Sequence, residues 1–461
     1  MKREWKWNAS WCVALASLLG LAALAAAWTE APFRYADQTH GSARLSHMNG
    51  IPVMQIGGTP EEIGEQAARL AVLAAPKLAT YPRELVNHFG GGGTWPVLLA
   101  LSKQFLNNFP PDYRRELDAL IAHCPGLDPD LIIAGNTLFD IKKYIACTSL
   151  MVERSRSATG RVLLGRNLDF PTLGYLQHYS LVTVVRPTGK RAFAAIGFPG
   201  MVGVLSGMND AGLALVVHEV YASRDGASVL DFKGMPYALC FRKVLEECAT
   251  VAEARALLEK LPRTTHLNLA IADPETAGVL EITAKNVIFR PAEEGFACCT
   301  NHFLSRELTL PQHHNIYLTV DRLEAVAARR QLDKLGVADL AGALHAANLG
   351  VHTLQTMVFE PETRTLWLAI GSTPSSALPL KRLDLAELLR PSETRPAASQ
   401  PAGRRCVFFR PPFSPPERGG RPAPRAPPLP RSPGLPGCPA ADARPVPASR
   451  HGGQVAPIRR A

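Results

Sequence analysis

Cys147 stands in the run Ala146-Cys147-Thr148-Ser149, and Gly165-Arg166-Asn167-Leu168-Asp169 follows, with Arg166 nineteen residues after the cysteine. A guanidinium near a thiol favours the thiolate, and a carboxylate can hold an ammonium in place and set its protonation. A nucleophile also needs a base. A cut before Cys147 would create one on the same residue, an α-amine with a free pKa of roughly 8. Nucleophile and base would then be held together by covalent bonds. Plainer readings stay open beside this one. Cys147 can be a buried free cysteine, since cysteine is among the most buried residue types, and Arg166 with Asp169 can be a structural ion pair. Three residues apart on one strand, these two would face opposite ways, so Asn167-Leu168 is expected to mark a bend.

The texture of the chain changes at Cys147. Before it, residues 31–51 read as extended and exposed. Gly58-Thr59-Pro60-Glu61-Glu62 is a helix start, with Thr59 as cap, Pro60 in the first turn and acids at the positive dipole end. Further helical stretches near 111–123 and 129–140 make the region before Cys147 mostly helical. After it come short β-rich runs at 147–152, 162–168, 180–186, 191–196, 202–208 and 214–219, separated by Pro/Gly/Asn/Asp turn signals such as Asn209-Asp210-Ala211-Gly212. Helices are expected at 236–247 and after the capping box Thr250-Val251-Ala252-Glu253. Strands return at 267–272, 279–283, 287–290 and 297–301, helices at 318–335 and 337–347, and a last hairpin pairs 353–359 with 364–370. Strands, helices, strands, helices in this order predict an α+β fold, two antiparallel sheets packed between helices.

The 461 residues carry a formal charge of +10. Residues 391–461 hold twelve Arg, no Lys and three acids, a net +9, so the remainder is nearly neutral. The same stretch has 18 of the 39 prolines, which remove backbone donors and block helix and sheet, and it reads as a disordered tail. At the other end, Lys2, Arg3 and Lys6 precede an uncharged, Ala/Leu-rich run to Thr29, and Ala25-Ala26-Ala27 offers a small-residue cleavage site. A signal peptide and an uncleaved membrane anchor both fit, the run being close to the ~20 residues that span a bilayer. Either places the protein outside the cytoplasm, facing the periplasm or the exterior. The division is thus 1–29 leader or anchor, 30–146 mostly helical small part, 147–390 catalytic part and 391–461 tail.

Cys-Thr-Ser at 147–149, Gly-Arg-Asn-Leu-Asp-Phe at 165–170 and Gly-Met-Asn-Asp-Ala-Gly-Leu at 207–213 occur in that order. Upstream are Gly-Thr-Pro-Glu-Glu-Ile-Gly at 58–64 and Asn136-Thr137-Leu138-Phe139-Asp140; downstream is Phe359-Glu360-Pro361. This set resembles the penicillin acyltransferase-like (acyl-CoA:6-aminopenicillanate acyltransferase) cysteine hydrolases of the N-terminal-nucleophile superfamily. These are related to choloylglycine hydrolase, acid ceramidase and N-acylethanolamine amidase. The resemblance covers roughly Ile51 to Ser372. It implies a four-layer αββα fold and self-cleavage between Ala146 and Cys147, giving a two-fragment heterodimer. Cys147 would be the nucleophile, with Arg166 and Asp169 positioning and tuning it. Asn301 of Thr300-Asn301 would donate to the oxyanion, and Arg322 of Thr319-Val320-Asp321-Arg322 would support the site. His218-Glu219 falls where relatives place a polar pocket residue, often Asn, and would touch substrate. The substrate would be a small-molecule N-acyl amide attacked to give a thioester, with no metal, organic cofactor or nucleic acid involved. A strand-end turn for Asn301 and a helix-surface place for Arg322 remain the plain alternatives.

Other chemistries are poorly served. Gly90 to Gly93 lacks the Lys-Ser/Thr of a phosphate-binding loop. Ser206 in Val-Leu-Ser-Gly-Met is not a Gly-x-Ser-x-Gly elbow. No Cys-x-x-Cys occurs, and His313-His314 has no third ligand at useful spacing. The different-class alternative is a non-enzymatic, envelope-tethered protein of the same fold.

Overall fold

The computed structural model describes residues 32–141, 143–312 and 315–390. The expected leader or anchor, the Pro/Arg-rich tail and the His313-His314 pair lie outside the described residues. The chain opens with β1 (Gln38–His40), β2 (Ala43–Met48) and β3 (Ile51–Gly58). Helices α1 (Pro60–Ala67), α2 (Pro76–His88), α3 (Trp95–Phe105), α4 (Pro111–Ala122) and α5 (Pro129–Ile141) follow. Next come β4 (Ala146–Val152), β5 (Leu163–Asp169), β6 (Leu181–Pro187), β7 (Phe193–Gly197), β8 (Ser206–Asn209) and β9 (Ala214–Glu219). Helices α6 (Tyr237–Glu247) and α7 (Val251–Lys260) precede β10 (Leu267–Ala272), β11 (Ala277–Ile282), β12 (Val287–Pro291) and β13 (Phe296–Cys299). The last part holds α8 (Thr319–Ala327), α9 (Val337–Ala346), β14 (Thr353–Glu360), β15 (Thr365–Ile370), β16 (Lys381–Asp384) and α10 (Leu385–Leu388).

Among the described residues, ten strands form one sheet in the order β1-β2-β3-β6-β7-β8-β9-β10-β11-β12, and six form a second, β13-β4-β5-β14-β15-β16. Strand alternation sends Met151, Leu164, Val216, Ala270 and Met357 into the space between the sheets. The opposite faces of β4, β5 and β14 bury Leu150, Leu163 and Val358 under Val326 of α8 and Leu340 and Leu344 of α9. The outer face of the larger sheet is covered by α6 and by helices from before Cys147. The result is the expected four-layer αββα arrangement.

Local chemistry explains several elements. Thr59 caps α1 through a reciprocal box: Glu62 N–H donates to Thr59 Oγ1 (3.3 Å) and Thr59 N–H to Glu62 Oε2 (2.7 Å). At α7 only half the predicted box forms. Thr250 Oγ1 accepts from Glu253 N–H (3.2 Å), but the Glu253 carboxylate reaches Ala249 N–H instead (2.6 Å). Asn209-Asp210-Ala211-Gly212 is the β8–β9 turn. Asn209 Oδ1 accepts from Ala211 and Leu213 N–H, and Gly212 sits at φ +85°, where a Cβ would lie 2.4 Å from Pro361 O.

Two features depart from the sequence reading. The sheets are not wholly antiparallel, because β3 pairs parallel with β6. The segment before Cys147 is also not only helices with an exposed lead-in. It supplies β1–β3 to the larger sheet, with Leu45 and Val53 fully buried. The reason is distance along the chain: the partner that buries 51–58 lies more than a hundred residues away. A buried ionic network joins this part to the rest. Arg242 of α6 donates to both carboxylate oxygens of Glu116 in α4 (2.7 Å each) and to Glu246 (2.8 Å), while Tyr113 Oη donates to Glu246 (2.7 Å).

Candidate active site

Cys147 is the second residue of β4 and is fully buried. Its thiol faces the space between the sheets, and Arg166 Nη2 donates to Sγ at 3.1 Å. The fully buried Arg166 is held by carbonyls, not acids: Nη1 donates to Leu205 O (3.2 Å) and to the Ser206 hydroxyl, Nη2 to Val217 O (3.1 Å). Burial pushes the Cys147 thiol up to about 11. Arg166, by charge and hydrogen bond, and Arg322 oppose this rise, and Asp169 adds to it.

Arg166 and Asp169 form no ion pair, and no bend separates them. β5 runs unbroken to Asp169, and the register shift lies in the facing strand between Thr353 and Gln355. The two side chains therefore leave opposite faces of β5, as strand geometry dictates. Arg166 meets the thiol. Asp169 accepts from Thr353 Oγ1 and lies beside Ala146 in the β4–β5 register. Its Oδ2 is buried without a hydrogen bond among the described residues. Burial raises its carboxyl to about 6, with the Arg322 charge the largest opposing influence.

Asn301 follows β13 and closes the other side. Its Oδ1 accepts from Cys147 N–H (3.0 Å) and from Arg322 Nη2 (2.7 Å). Its Nδ2 donates to Glu219 O (2.8 Å) and Ile145 O (3.3 Å). Arg322 of α8 is buried, not a helix-surface residue. It donates to Cys147 O (2.5 Å), Thr148 Oγ1 (2.8 Å) and Tyr317 O (2.8 Å). Thr300 and Thr319 fix this corner, with Thr300 Oγ1 donating to Thr319 O (2.8 Å) and Asn301 N–H to Thr319 Oγ1 (2.8 Å).

The structure thus brings Ala146, Cys147, Arg166, Asp169, Asn301 and Arg322 together. His218 and Glu219 divide. His218 points between the sheets, where its Nε2 is 2.9 Å from Ser149 Oγ, and burial drops its pKa well below the usual value. It does not line the groove described below, because alternation along β9 turns it inward. Glu219 turns outward and binds the chain itself: Oε2 accepts from Ile145 N–H (2.9 Å) and Oε1 from Tyr237 Oη (3.1 Å). Burial raises its carboxyl to about 8. Sequence reasoning missed the buried groups behind this segment. Asp140 accepts from Tyr237 N–H (3.0 Å) and Thr264 Oγ1 (2.5 Å) and is raised to about 7. Lys143 donates to Val220 O and to His266 O (2.9 Å) and is lowered to about 8 by the same burial.

An apolar groove opens beside the site, with about 800 Å³ of space counting its open mouth. Leu78, Pro82 and Leu85 of α2, Leu131 and Phe139 of α5, and Phe198 and Met201 line it. Tyr144 and Phe170 also line it, three residues before Cys147 and one after Asp169. Asn136 in the lining already has its polar atoms bonded to Ile132 O, Gly200 O and Val202 N–H. An occupant would therefore meet hydrocarbon. Among the described residues no three His, Cys, Asp or Glu side chains converge as a metal would require, and Cys124, Cys147, Cys240, Cys248, Cys298 and Cys299 are free thiols. No helix among them is long and apolar enough to cross a membrane.

An uncharacterized protein of Archaeoglobus fulgidus is 24% identical over 276 residues, which cover 52% of this chain. The chain spans only 45% of that relative's length. Among solved structures, a Caenorhabditis elegans N-acylethanolamine-hydrolyzing acid amidase ortholog is 17% identical with a TM-score of 0.38, covering 51% of this chain and 100% of that one. A mutant of the conjugated bile acid hydrolase from Clostridium perfringens is 16% identical, TM-score 0.37, covering 52% and 93%. Penicillin V acylase from Agrobacterium tumefaciens is 14% identical, TM-score 0.34, covering 52% and 87%. The family model described as acyl-coenzyme A:6-aminopenicillanic acid acyl-transferase matches residues 156–374, a span that includes Arg166, Asp169, Asn301 and Arg322 and begins just after Cys147. Over that span the chain is similar to the acyl-coenzyme A:6-aminopenicillanic acid acyl-transferase family, the resemblance that its motifs carry.

Proposed function

We propose that this chain is a self-processing cysteine enzyme that hydrolyses or transfers acyl groups at non-peptide amide bonds, with an apolar acyl group seated in the groove. The observation that carries the reading is the Arg166 guanidinium set on the Cys147 thiol, at the end of a strand whose first peptide bond is bracketed by Asn301, Arg322 and Asp169.

Self-cleavage comes first. Cys147 Sγ attacks the Ala146 carbonyl carbon, the C–N bond breaks, and the thiol proton passes to the nitrogen, which becomes the α-amine of Cys147. Water then hydrolyses the Ala146 thioester and frees the thiol. The need for a base follows from the thiol's environment. With a pKa of about 11, only about 10⁻⁴ of it is thiolate at pH 7. The new α-amine supplies the base on the same residue, next to Asp169, which favours its charged form, and Arg166, which favours its neutral form. Loss of Ile145 as a partner leaves Asn301 Nδ2 able to turn to a substrate oxyanion. Attack on the substrate amide expels its amine and leaves a thioester; water or a second amine completes hydrolysis or transfer. The basic and apolar N-terminal segment of the sequence supports a site of action outside the cytoplasm.

A series of amides sharing one chromogenic amine and differing in acyl length tests the reading. The cut protein should gain in kcat/KM with each methylene, by up to about fourfold per CH₂ until the groove is filled, and Cys147→Ala should be inert. Absence of turnover by cut protein on all of them, or activity in Cys147→Ala, would reject it.

A further inference from the structure

The cut site is preceded by a short linker segment, 143–145, whose two ends are treated differently. Ile145 is held by Glu219 and Asn301. Lys143 turns its ammonium inward, onto the ends of β9 and β10. There it donates to Val220 O and to His266 O, a carbonyl that also accepts Val220 N–H (3.1 Å). Buried ammonium groups are costly unless compensated. This one bonds two carbonyls and lies near the Glu219 and Asp140 carboxyls. That is more than a linker needs merely to cross from α5 to β4.

We infer that Lys143 is a positioning residue for self-cleavage, pinning the linker to the β9–β10 edge so that the Ala146–Cys147 peptide is presented to the Cys147 thiol. The inference rests on the self-cleavage proposed above. The geometry gives it a physical basis. An intramolecular attack needs the carbonyl carbon held within reach of the sulfur. Lys143 adds an anchor upstream of the two on Ile145, so that slack in the linker is kept from the Ala146 carbonyl while Cys147 itself is fixed by Arg166 and Arg322. Lys143 touches none of the groups that act on substrate, so its part ends when the peptide bond is broken.

The test follows conversion of uncut to cut full-length protein over time on denaturing gels and by intact mass. Lys143→Met should slow it at least about tenfold. Lys143→Arg, which keeps charge and donors, should cut within about threefold of wild type. Turnover per cut chain, on a chromogenic N-acyl amide, should stay within about twofold for both. If Lys143→Met fails to fold, Lys143→Gln is read in its place. Cleavage of Lys143→Met at the wild-type rate overturns the inference. So does a loss of turnover per cut chain that matches the loss of cleavage, which would mark Lys143 as merely structural. A wild-type protein that never cuts is a different outcome and removes the underlying reading instead.

Discussion

Replacing Arg166 with Met removes the only side-chain donor to the Cys147 sulfur among the described residues and leaves a shape that still fills the space between the sheets. The lost bond, 3.1 Å long and made by a charged donor, falls in the range of about 1.5–3 kcal/mol. At about 1.36 kcal/mol per unit, this corresponds to a further rise of roughly one to two units in a thiol that burial already holds at about 11. The sign is fixed: Arg166 favours the thiolate, Asp169 disfavours it, and the variant leaves the second influence with only Arg322 against it. Thiolate at a given pH should fall about 10- to 100-fold, and turnover of a chromogenic N-acyl amide with it. The rate of iodoacetamide alkylation of the cut protein, measured by mass, should drop in parallel. Circular dichroism must first show a folded variant, because Leu205 O and Val217 O lose a donor as well. A folded Arg166→Met protein with turnover and alkylation within about twofold of wild type would refute the role assigned to this guanidinium.

Asn301→Ala removes partners of Cys147 N–H, Ile145 O and Arg322 at once. Kinetics on any cut fraction should show about 10²-fold lower turnover, and gels slower self-cleavage. Arg242→Met strands the Glu116 carboxylate in the interior and leaves Glu246 with only Lys190 and Tyr113 among the described residues. Urea unfolding should register a loss of about 3–5 kcal/mol. Stability should also depend on pH through the carboxyls that burial raises, Asp140 to about 7 and Glu219 to about 8. Their contribution is full below the unfolded carboxylate value near ~4 and is lost as pH rises through the folded values. Buried His218 and His266, both lowered, act oppositely below about 6.5, and Lys143 acts oppositely above about 8. Thermal melts of the uncut Cys147→Ala protein should therefore fall between about pH 6.5 and 8, and adding Glu219→Gln should flatten the fall; a flat profile in the parent variant contradicts these carboxyl assignments.

Most of the layered fold could be read from the chain, because the runs after Cys147 are short and β-rich and their turns carry Gly, Asn and Pro. Strands 267–272 and 214–219 came out at their observed bounds. What escaped was set by partners distant in sequence. The parallel β3–β6 pair unites segments with no local signal for each other, and the β14 irregularity that faces Asp169 leaves no mark on β5 itself. Cys147, Arg166, Asp169, Asn301 and Arg322 were nameable because each belongs to a motif. A two-residue motif does not say which of His218 and Glu219 faces inward; alternation in β9 decides that, turning His218 between the sheets and Glu219 to Ile145 and Tyr237, so that neither lines the groove. Lys143 was not singled out, and Asp140 was read only as the last residue of the upstream motif. Their roles depend on Val220, His266 and Thr264, brought near only by the sheet.

The central claim is that the Ala146–Cys147 peptide is broken by the cysteine that follows it. The intact mass of the purified full-length protein, with N-terminal sequencing of each species, tests it most directly. Two fragments are predicted, one beginning at Cys147, together with a single uncut chain for Cys147→Ala. A catalytically active preparation that consists only of uncut chain would contradict it.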